Sequence, residues 1–462
     1  MIYSQFISRK TEPTRTHGLK DQEIQPGAFL FPFQSDLVRW SLRRGSAAIF
    51  ADTGLGKTAM QLDWARHVSA KGRVLILTPL AVAHQTAREG KRFGVDVQYL
   101  REDDDTSKIV VTNYDILDRF RPENFAGIVL DESSILKSFD GSTRNALIEA
   151  FQDTPYRLAC TATPAPNDYT ELGNHSEFLG IKTRTEMLSE YFVHDMQTTQ
   201  DWRLKGHARL PFWRWVASWG AVVRKPSDLG YDNGAFDLPE LRMHEYIVNV
   251  DHKQAWSAGL MFAQTAMTLN EQRAVRRETM DARIKTAKQI AESSDSPCLI
   301  WCELNPEGDA LEKAINESVQ VKGSDSREEK EDRLLGFTDG KYKTLISKAS
   351  IAGHGMNWQH CSRMIFVGAS HSYEQTYQAI RRCWRFGQKS HVDVHMICAE
   401  TDGAVLRNYK RKQDDAEKMG EQMSEFVGPC VRESLGRSKR EWNNYKPGSE
   451  MAIPSWLNSE VA

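Results

Sequence analysis

The chain has 462 residues, 60 basic and 62 acidic side chains and a formal net charge of −2, length enough for roughly two to four domains with cores of their own. So balanced a charge excludes a partner held by a global field, and a nucleic acid would need a local basic track. The seven cysteines are odd in number, scattered and set mostly in apolar runs (Cys160, Cys298, Cys302, Cys398), which excludes a disulfide framework and suits a reducing, cytoplasmic compartment.

Residues 1–25 are polar and mixed in charge, and a loosely ordered lead-in is expected there. They show no basic-then-apolar leader. The longest apolar run, around Val74 to Ala83, is broken by Thr78 and Pro79, so no membrane span is expected. Phe31, Phe33 and Gln34 then precede a helix just ahead of a short apolar run, Ala47 to Phe50. A Gln amide pairs a donor with an acceptor and so matches the edge of adenine.

The organising stretch is ADTGLGKT, Ala51 to Thr58, between that apolar run and a segment of helical periodicity starting near Lys57. A strand, a glycine loop and a helix N-terminus together turn backbone N–H groups and a positive helix end toward a polyphosphate. Thr53, Gly54, Leu55 and Gly56 form the loop, Lys57 reaches the terminal phosphates and the Thr58 hydroxyl ligates Mg²⁺. Ala51 stands where the strict pattern has Gly.

Val74 to Leu77 and Ile109 to Thr112 read as buried parallel strands, and the acidic cluster Glu102 to Asp105 as a solvated turn. Gly127 to Leu130 is another strand, ending in the adjacent carboxylates Asp131 and Glu132. At the carboxyl end of a parallel strand one can hold Mg²⁺ and its neighbour can orient and deprotonate an attacking water. Asp131 is assigned to the metal and Glu132 to the water. Tyr156 to Cys160 continues the alternation into Thr161, Ala162 and Thr163.

From Ala165 to about Pro297 the pattern turns helical and irregular. Trp202 to Lys225 interleaves tryptophans with arginines and lysines and holds no acid after Trp202, which suits phosphate contact and base stacking, or a tryptophan core with arginines at its rim. A second alternating array follows, with strands at Cys298 to Cys302, Thr344 to Ser347 and Met364 to Val367. The helix expected from Tyr373 carries QAIRRCWRFGQ, in which Gln378, Arg382 and Arg385 at i, i+4 and i+7 share a face. Two guanidinium groups side by side call for an anion opposite, and a transferring phosphoryl group is one.

In order along the chain, Gln34, ADTGLGKT, TPLAVAHQ, DESS, TATPAPN, LIWCE, SKASIAGHGMN and QAIRRCWRFGQ resemble the motifs of the Swi/Snf-type branch of superfamily-two helicase-like ATPases. The resemblance spans about Phe31 to Glu400. It implies an α/β fold of two RecA-like parallel-sheet lobes with a mostly helical insertion between them: 26–180 as the ATP-binding lobe, 181–290 as insertion and linker, 291–420 as the second lobe and 421–462 as a tail. ATP and Mg²⁺ would bind between the lobes, Phe31 and Gln34 on the base, Gly355 and Gln378 completing the site from the second lobe. Arg382 and Arg385 would join Lys57, Asp131 and Glu132 on closure, with Thr161 and Thr163 as relays. Thr78, Pro79, Thr112, Ser347 and Lys348 would hold the nucleic-acid backbone through short hydroxyls and their neighbours.

The implied activity is an ATP-dependent translocase on DNA, duplex in the first instance. A strand-separating helicase, an RNA-stimulated ATPase and a remodeller displacing bound proteins are the other readings. DESS replaces DEGH or DEAH and so lacks a histidine that in many relatives couples hydrolysis to motion.

Overall fold

The computed structural model describes residues 17–80, 82–137, 141–166, 168–194, 202–248, 279–352, 357–368, 372–400 and 403–436. The first lobe is built on β1 (Ser46–Ala51), β2 (Arg73–Thr78), β3 (Gln98–Tyr99), β4 (Ile109–Asn113), β5 (Phe125–Asp131) and β6 (Tyr156–Cys160). These are short continuous apolar runs; every residue of β1 is buried, as both faces of a parallel sheet require. A hairpin of β7 (Phe192–His194) and β8 (Trp202–Leu204) lies apart, and β9 (Gly220–Val223) joins the large sheet, whose order is β3-β4-β2-β5-β6-β1-β9. All its pairings are parallel. The strand ends at Ala51, Thr78, Asp131 and Cys160 therefore open onto one edge, where such sheets bind ligands.

The second lobe is a six-stranded parallel sheet of β10 (Leu241–Val248), β11 (Cys298–Cys302), β12 (Ser318–Val321), β13 (Thr344–Ser347), β14 (Arg363–Val367) and β15 (Val392–Ala399), in the order β10-β15-β14-β11-β13-β12. The strand period of two divides its core. Leu299, Trp301, Met364 and Phe366 face one layer; Cys298, Ile300, Ile365 and Val367 face the other. Two parallel sheets with helices on their faces make this an α/β molecule of two lobes. Between them the chain carries the helices Arg184–Tyr191, Arg209–Ala217 and Met280–Glu292, and also lends one strand to each sheet, β9 to the first and β10 to the second.

The tryptophan-rich stretch resolves toward a core. Trp213 and Trp219 are 1% and 0% exposed, while Arg203, Arg209, Arg214, Arg224 and Lys225 lie outside. The long helix Gly403–Ser434 leaves the second lobe after β15 and buries Met423, Val427 and Val431 in the core of the first. Six of the seven cysteines are buried and all are free thiols. Among the described residues no helix is long and apolar enough to cross a membrane.

One local expectation is corrected. The helix from Tyr373 stops at Ile380, so Arg382 and Arg385 stand on consecutive turns beyond it and share no helical face with Gln378. Past Ile380 the bonding tightens to turns: Arg382 N–H and Cys383 N–H reach back only three residues, to the Ala379 and Ile380 carbonyls at 3.2 Å, and Arg385 N–H only two, to the Cys383 carbonyl at 3.1 Å.

Candidate nucleotide site between the lobes

The loop after β1 has the shape its glycines permit. Gly54 and Gly56 sit at φ +92° and +78°, left-handed values that a side chain disfavours. A Cβ on Gly56 would also lie 2.3 Å from Gln34 Nε2. That amide donates to the Leu55 carbonyl at 2.8 Å, and Gln34 Oε1 accepts Phe31 N–H at 2.9 Å, so Gln34 fastens the loop to the start of the helix Pro32–Arg44. One amide proton and one lone pair remain for a base edge. Lys57 opens the helix Lys57–Val68 and donates to the Ala51 carbonyl at 2.9 Å. Burial lowers its pKa, and the negative charges of Glu132, Asp52 and Asp131 act against that.

β6 lies between β1 and β5, which sets the carboxylates one strand away from the loop. Asp131 is 8% exposed, and its Oδ1 accepts Gln61 Nε2 at 2.7 Å. Burial pushes its carboxyl up to about 6, with the neighbouring Glu132 charge adding to the rise. Glu132 adopts φ +56°, an uncommon left-handed conformation for a non-glycine residue. Its Oε1 accepts Thr161 Oγ1 at 2.7 Å and Ser134 Oγ at 3.1 Å, and Thr163 N–H donates to Thr161 Oγ1 at 3.1 Å. Thr161 and Thr163 thus form a chain of contacts starting at Glu132.

From the second lobe, Arg382 donates to the Gln378 carbonyl at 3.0 Å and Arg385 donates to Asn357 Oδ1. Burial brings both guanidinium groups down to about 10; the Arg385 charge adds to the lowering at Arg382, and the Arg381 charge to that at Arg385. Together these groups line a cavity of 480 Å³ that also takes in Phe31, Thr53, Thr58, Glu89, Phe236 and Phe386. Lys57, Arg382 and Arg385 all stand on its wall. Phe236 packs against Phe31 and Phe386 at centroid distances of 5.0 and 4.7 Å, and all three rings line the same cavity.

Thr58 and Asp131 supply hard oxygen donors at the cavity wall, the chemistry Mg²⁺ takes with phosphates and water. The described residues hold no group of three or more His, Cys, Asp or Glu side chains that could bind a metal alone.

The residues expected on nucleic acid are placed differently. Thr78, Thr112 and Ser347 are buried, and their hydroxyls donate to the carbonyls of Pro79 (3.1 Å), Leu100 (2.8 Å) and Val321 (3.1 Å). In this arrangement none of the three hydroxyls is turned out to a phosphate. Pro79 lines the nucleotide cavity, Lys348 is half-buried at the end of β13, and Gly355 lies outside the described residues.

Several supports gave no motif signal. Gln61 holds Asp131 from 70 positions earlier, and Tyr114 OH donates to the Asp131 carbonyl at 2.7 Å. Ser133, inside DESS, meets His175 Nε2 at 3.1 Å. That histidine is fully buried, and burial pushes its pKa down to about 4. Asp52, Tyr377 and Arg381 join the lobes beside the loop.

A phosphate loop and strand-end carboxylates on one parallel sheet, faced by arginines from a second, define a two-lobed helicase-type nucleotide-binding core. Residues 32–166 match the family model described as "Type III restriction enzyme, res subunit", and residues 281–387 match "Helicase conserved C-terminal domain". The DNA annealing helicase and endonuclease ZRANB3 of Bos taurus is 22% identical over 413 residues, 80% of this chain and 38% of that protein. The putative ATP-dependent helicase/translocase YwqA of Bacillus subtilis is 22% identical over 455 residues, 83% of this chain and 48% of that one. The solved Sulfolobus solfataricus SWI2/SNF2 ATPase core in complex with dsDNA aligns over 90% of this chain and 97% of its own at 18% identity, with a TM-score of 0.42. This chain thus spans less than half the length of the curated relatives it matches. One matched family segment thus lies in each lobe, and the relatives that align across both lobes are described as helicases or translocases.

Proposed function

We propose that this protein hydrolyses ATP between its lobes and uses the cycle to move along duplex DNA. The observation that carries the reading is the convergence of Lys57, Asp131 and Glu132 from one sheet with Gln378, Arg382 and Arg385 from the other on a single cavity. Lys57 binds the terminal phosphates once they draw its ammonium from the Ala51 carbonyl. Mg²⁺, held by Thr58 and by Asp131 through water, would supply charge neutralisation on the phosphates.

Glu132, steadied by Thr161 and Ser134, orients the attacking water and takes its proton. Arg382 and Arg385 stabilise the charge that spreads over the transferring phosphoryl group, and an anion between them relieves the repulsion and desolvation recorded in their lowered pKa values. Because these arginines belong to the second lobe, the full set exists only when the lobes meet. Hydrolysis is then linked to lobe movement.

DNA as the track is supported by the relative described as a DNA annealing helicase, and ATP-driven movement by the one described as a putative ATP-dependent helicase/translocase. The test is ATP hydrolysis with no polymer, single-stranded DNA, duplex DNA and RNA, with Lys57→Ala as the blank. Stimulation by duplex DNA is expected. Preference for single strands or RNA would replace the duplex translocase by an unwinding enzyme or an RNA motor and leave the ATP chemistry standing.

A further inference from the structure

Beside the cavity, a second set of contacts joins the lobes through Asp52, Tyr377 and Arg381, which do not line it, and Thr53, which does. Asp52 and Thr53 form the bend by which the chain leaves β1 for the phosphate loop. Asp52 Oδ1 accepts Thr53 N–H at 2.6 Å. From the other lobe, Tyr377 OH donates to that same oxygen at 2.6 Å. The Arg381 guanidinium lies 3.0 Å from Asp52 Oδ2 and donates to the Thr53 carbonyl.

Arg381 is 4% exposed in its side chain and is held in a slot of rings, 5.0 Å from the Trp384 centroid and 5.7 Å from that of Tyr377. Trp384 is itself fixed by its indole N–H to the Pro239 carbonyl at 2.6 Å. A guanidinium so placed grips a carboxylate and a carbonyl at once, which its planar fork allows and an ammonium does not.

We propose that Arg381, seconded by Tyr377, is a positioning residue that holds the Asp52–Thr53 bend across the lobe interface and so sets the phosphate loop for the triphosphate when the lobes meet. The inference rests on the nucleotide-site reading above. It gives Arg381 a different task from Arg382 and Arg385, although the three stand within five residues. The phosphates meet the loop's N–H groups and Lys57; the second lobe meets the loop's acidic and carbonyl side. Lobe approach and loop shape are thereby one event.

The test uses the full chain with Arg381→Gln, Arg381→Lys, Asp52→Asn and the double variant Asp52→Asn/Arg381→Gln, each first checked for an unchanged melting temperature. Binding of a fluorescent ADP analogue and steady-state ATP hydrolysis are then measured. Arg381→Gln is expected to lower kcat about tenfold while changing ADP affinity less than threefold, since ADP needs the loop but not the assembled lobes. Arg381→Lys should recover part of kcat, because it keeps the ion pair with Asp52 and loses the fork. The double variant should be no worse than the worse single one, the mark of two groups acting through each other.

Unchanged kcat in Arg381→Gln overturns the proposal, and so does a double variant whose loss is the product of the two single losses. Equal losses in kcat and ADP affinity would make Arg381 a general support of the site, which also overturns it. Failure of the underlying reading looks different: the unsubstituted protein would then bind no nucleotide in the same fluorescence assay.

Discussion

Glu132 and Asp131 are neighbours in sequence with opposite situations. The Glu132 carboxylate is held by two hydroxyls in a left-handed backbone conformation, so its place is fixed before substrate arrives. Glu132→Gln keeps the shape and removes the base; it is expected to bind ATP as the unsubstituted protein does and to lose about 100-fold or more in turnover, read by nucleotide binding and steady-state hydrolysis side by side. Ordinary turnover in that variant would remove Glu132 from the role. Asp131 is instead a buried carboxylate whose pKa is raised from 3.8 to about 6. The folded state then holds this proton more tightly than the unfolded chain does. Its contribution to stability is complete below pH 3.8 and is lost as pH rises through about 6. Two pH units correspond to about 3 kcal/mol. Asp131→Asn, which keeps an acceptor for Gln61, is therefore expected to melt several degrees higher at pH 7 without nucleotide or Mg²⁺ while losing hydrolysis. A lower melting temperature would show that the carboxylate is not under strain. His175 has the opposite sign. It is depressed from 6.5 to about 4, so its contribution is present above pH 6.5 and lost as pH falls through about 4.

At the scale of elements, the connector between the lobes does more than span them. It carries Phe236 into a cluster with Phe31 of the first lobe and Phe386 of the second, all three on the cavity wall. A purine base placed there would stack against rings contributed by both lobes. Phe236→Ala is expected to raise the KM for ATP about fivefold to tenfold with kcat within twofold, measured on duplex DNA; a loss confined to kcat would mean that the ring serves closure instead of the base. That the glycine loop, both carboxylates and the arginines would meet at one cavity was legible in the sequence, because each belongs to a local string of recognisable spacing. Gln61, Tyr114 and His175 were not, because they reach DESS or its strand from 70, 17 and 42 positions away through contacts that only the packed sheet creates. Helical spacing put Gln378, Arg382 and Arg385 on one face, but the helix ends at Ile380, past which Arg382 and Cys383 N–H reach back only three residues and the chain goes on in turns. Short hydroxyl residues at strand ends suggested phosphate contacts, yet the strands' own neighbours took those hydroxyls. The tryptophans between 202 and 225 were ambiguous by composition alone, since stacking platforms and cores draw on the same residues.

Across the whole molecule, the two sheets are tied by the connector, by the contacts at the cavity and by the helix Gly403–Ser434. That helix begins where the second lobe ends, and Lys410 still pairs with Glu245 of β10 at 2.8 Å. Further along it belongs to the first lobe: Phe426 stacks on Trp213 at 6.2 Å and 3°, Gln422 accepts Tyr169 OH at 2.7 Å and Arg432 donates to the Asp228 carbonyl at 2.6 Å. A second tether of this kind limits how far the lobes separate and raises the concentration of one cavity wall at the other. The consequence is testable at Val427, which is fully buried in the first-lobe core. Val427→Asp places an unpaired carboxylate there, at an expected loss of several kcal/mol, and the way to avoid it is for the helix to lift away from the first lobe. ADP binding, which draws on the first lobe's loop, should survive within about threefold, whereas kcat, which needs the arginines to arrive, should fall about tenfold. Both are read at a temperature where circular dichroism still shows a folded chain. If kcat is unchanged while the helix has lost its seat, the connector alone brings the lobes together, and Gly403–Ser434 serves only to cover the first lobe's core.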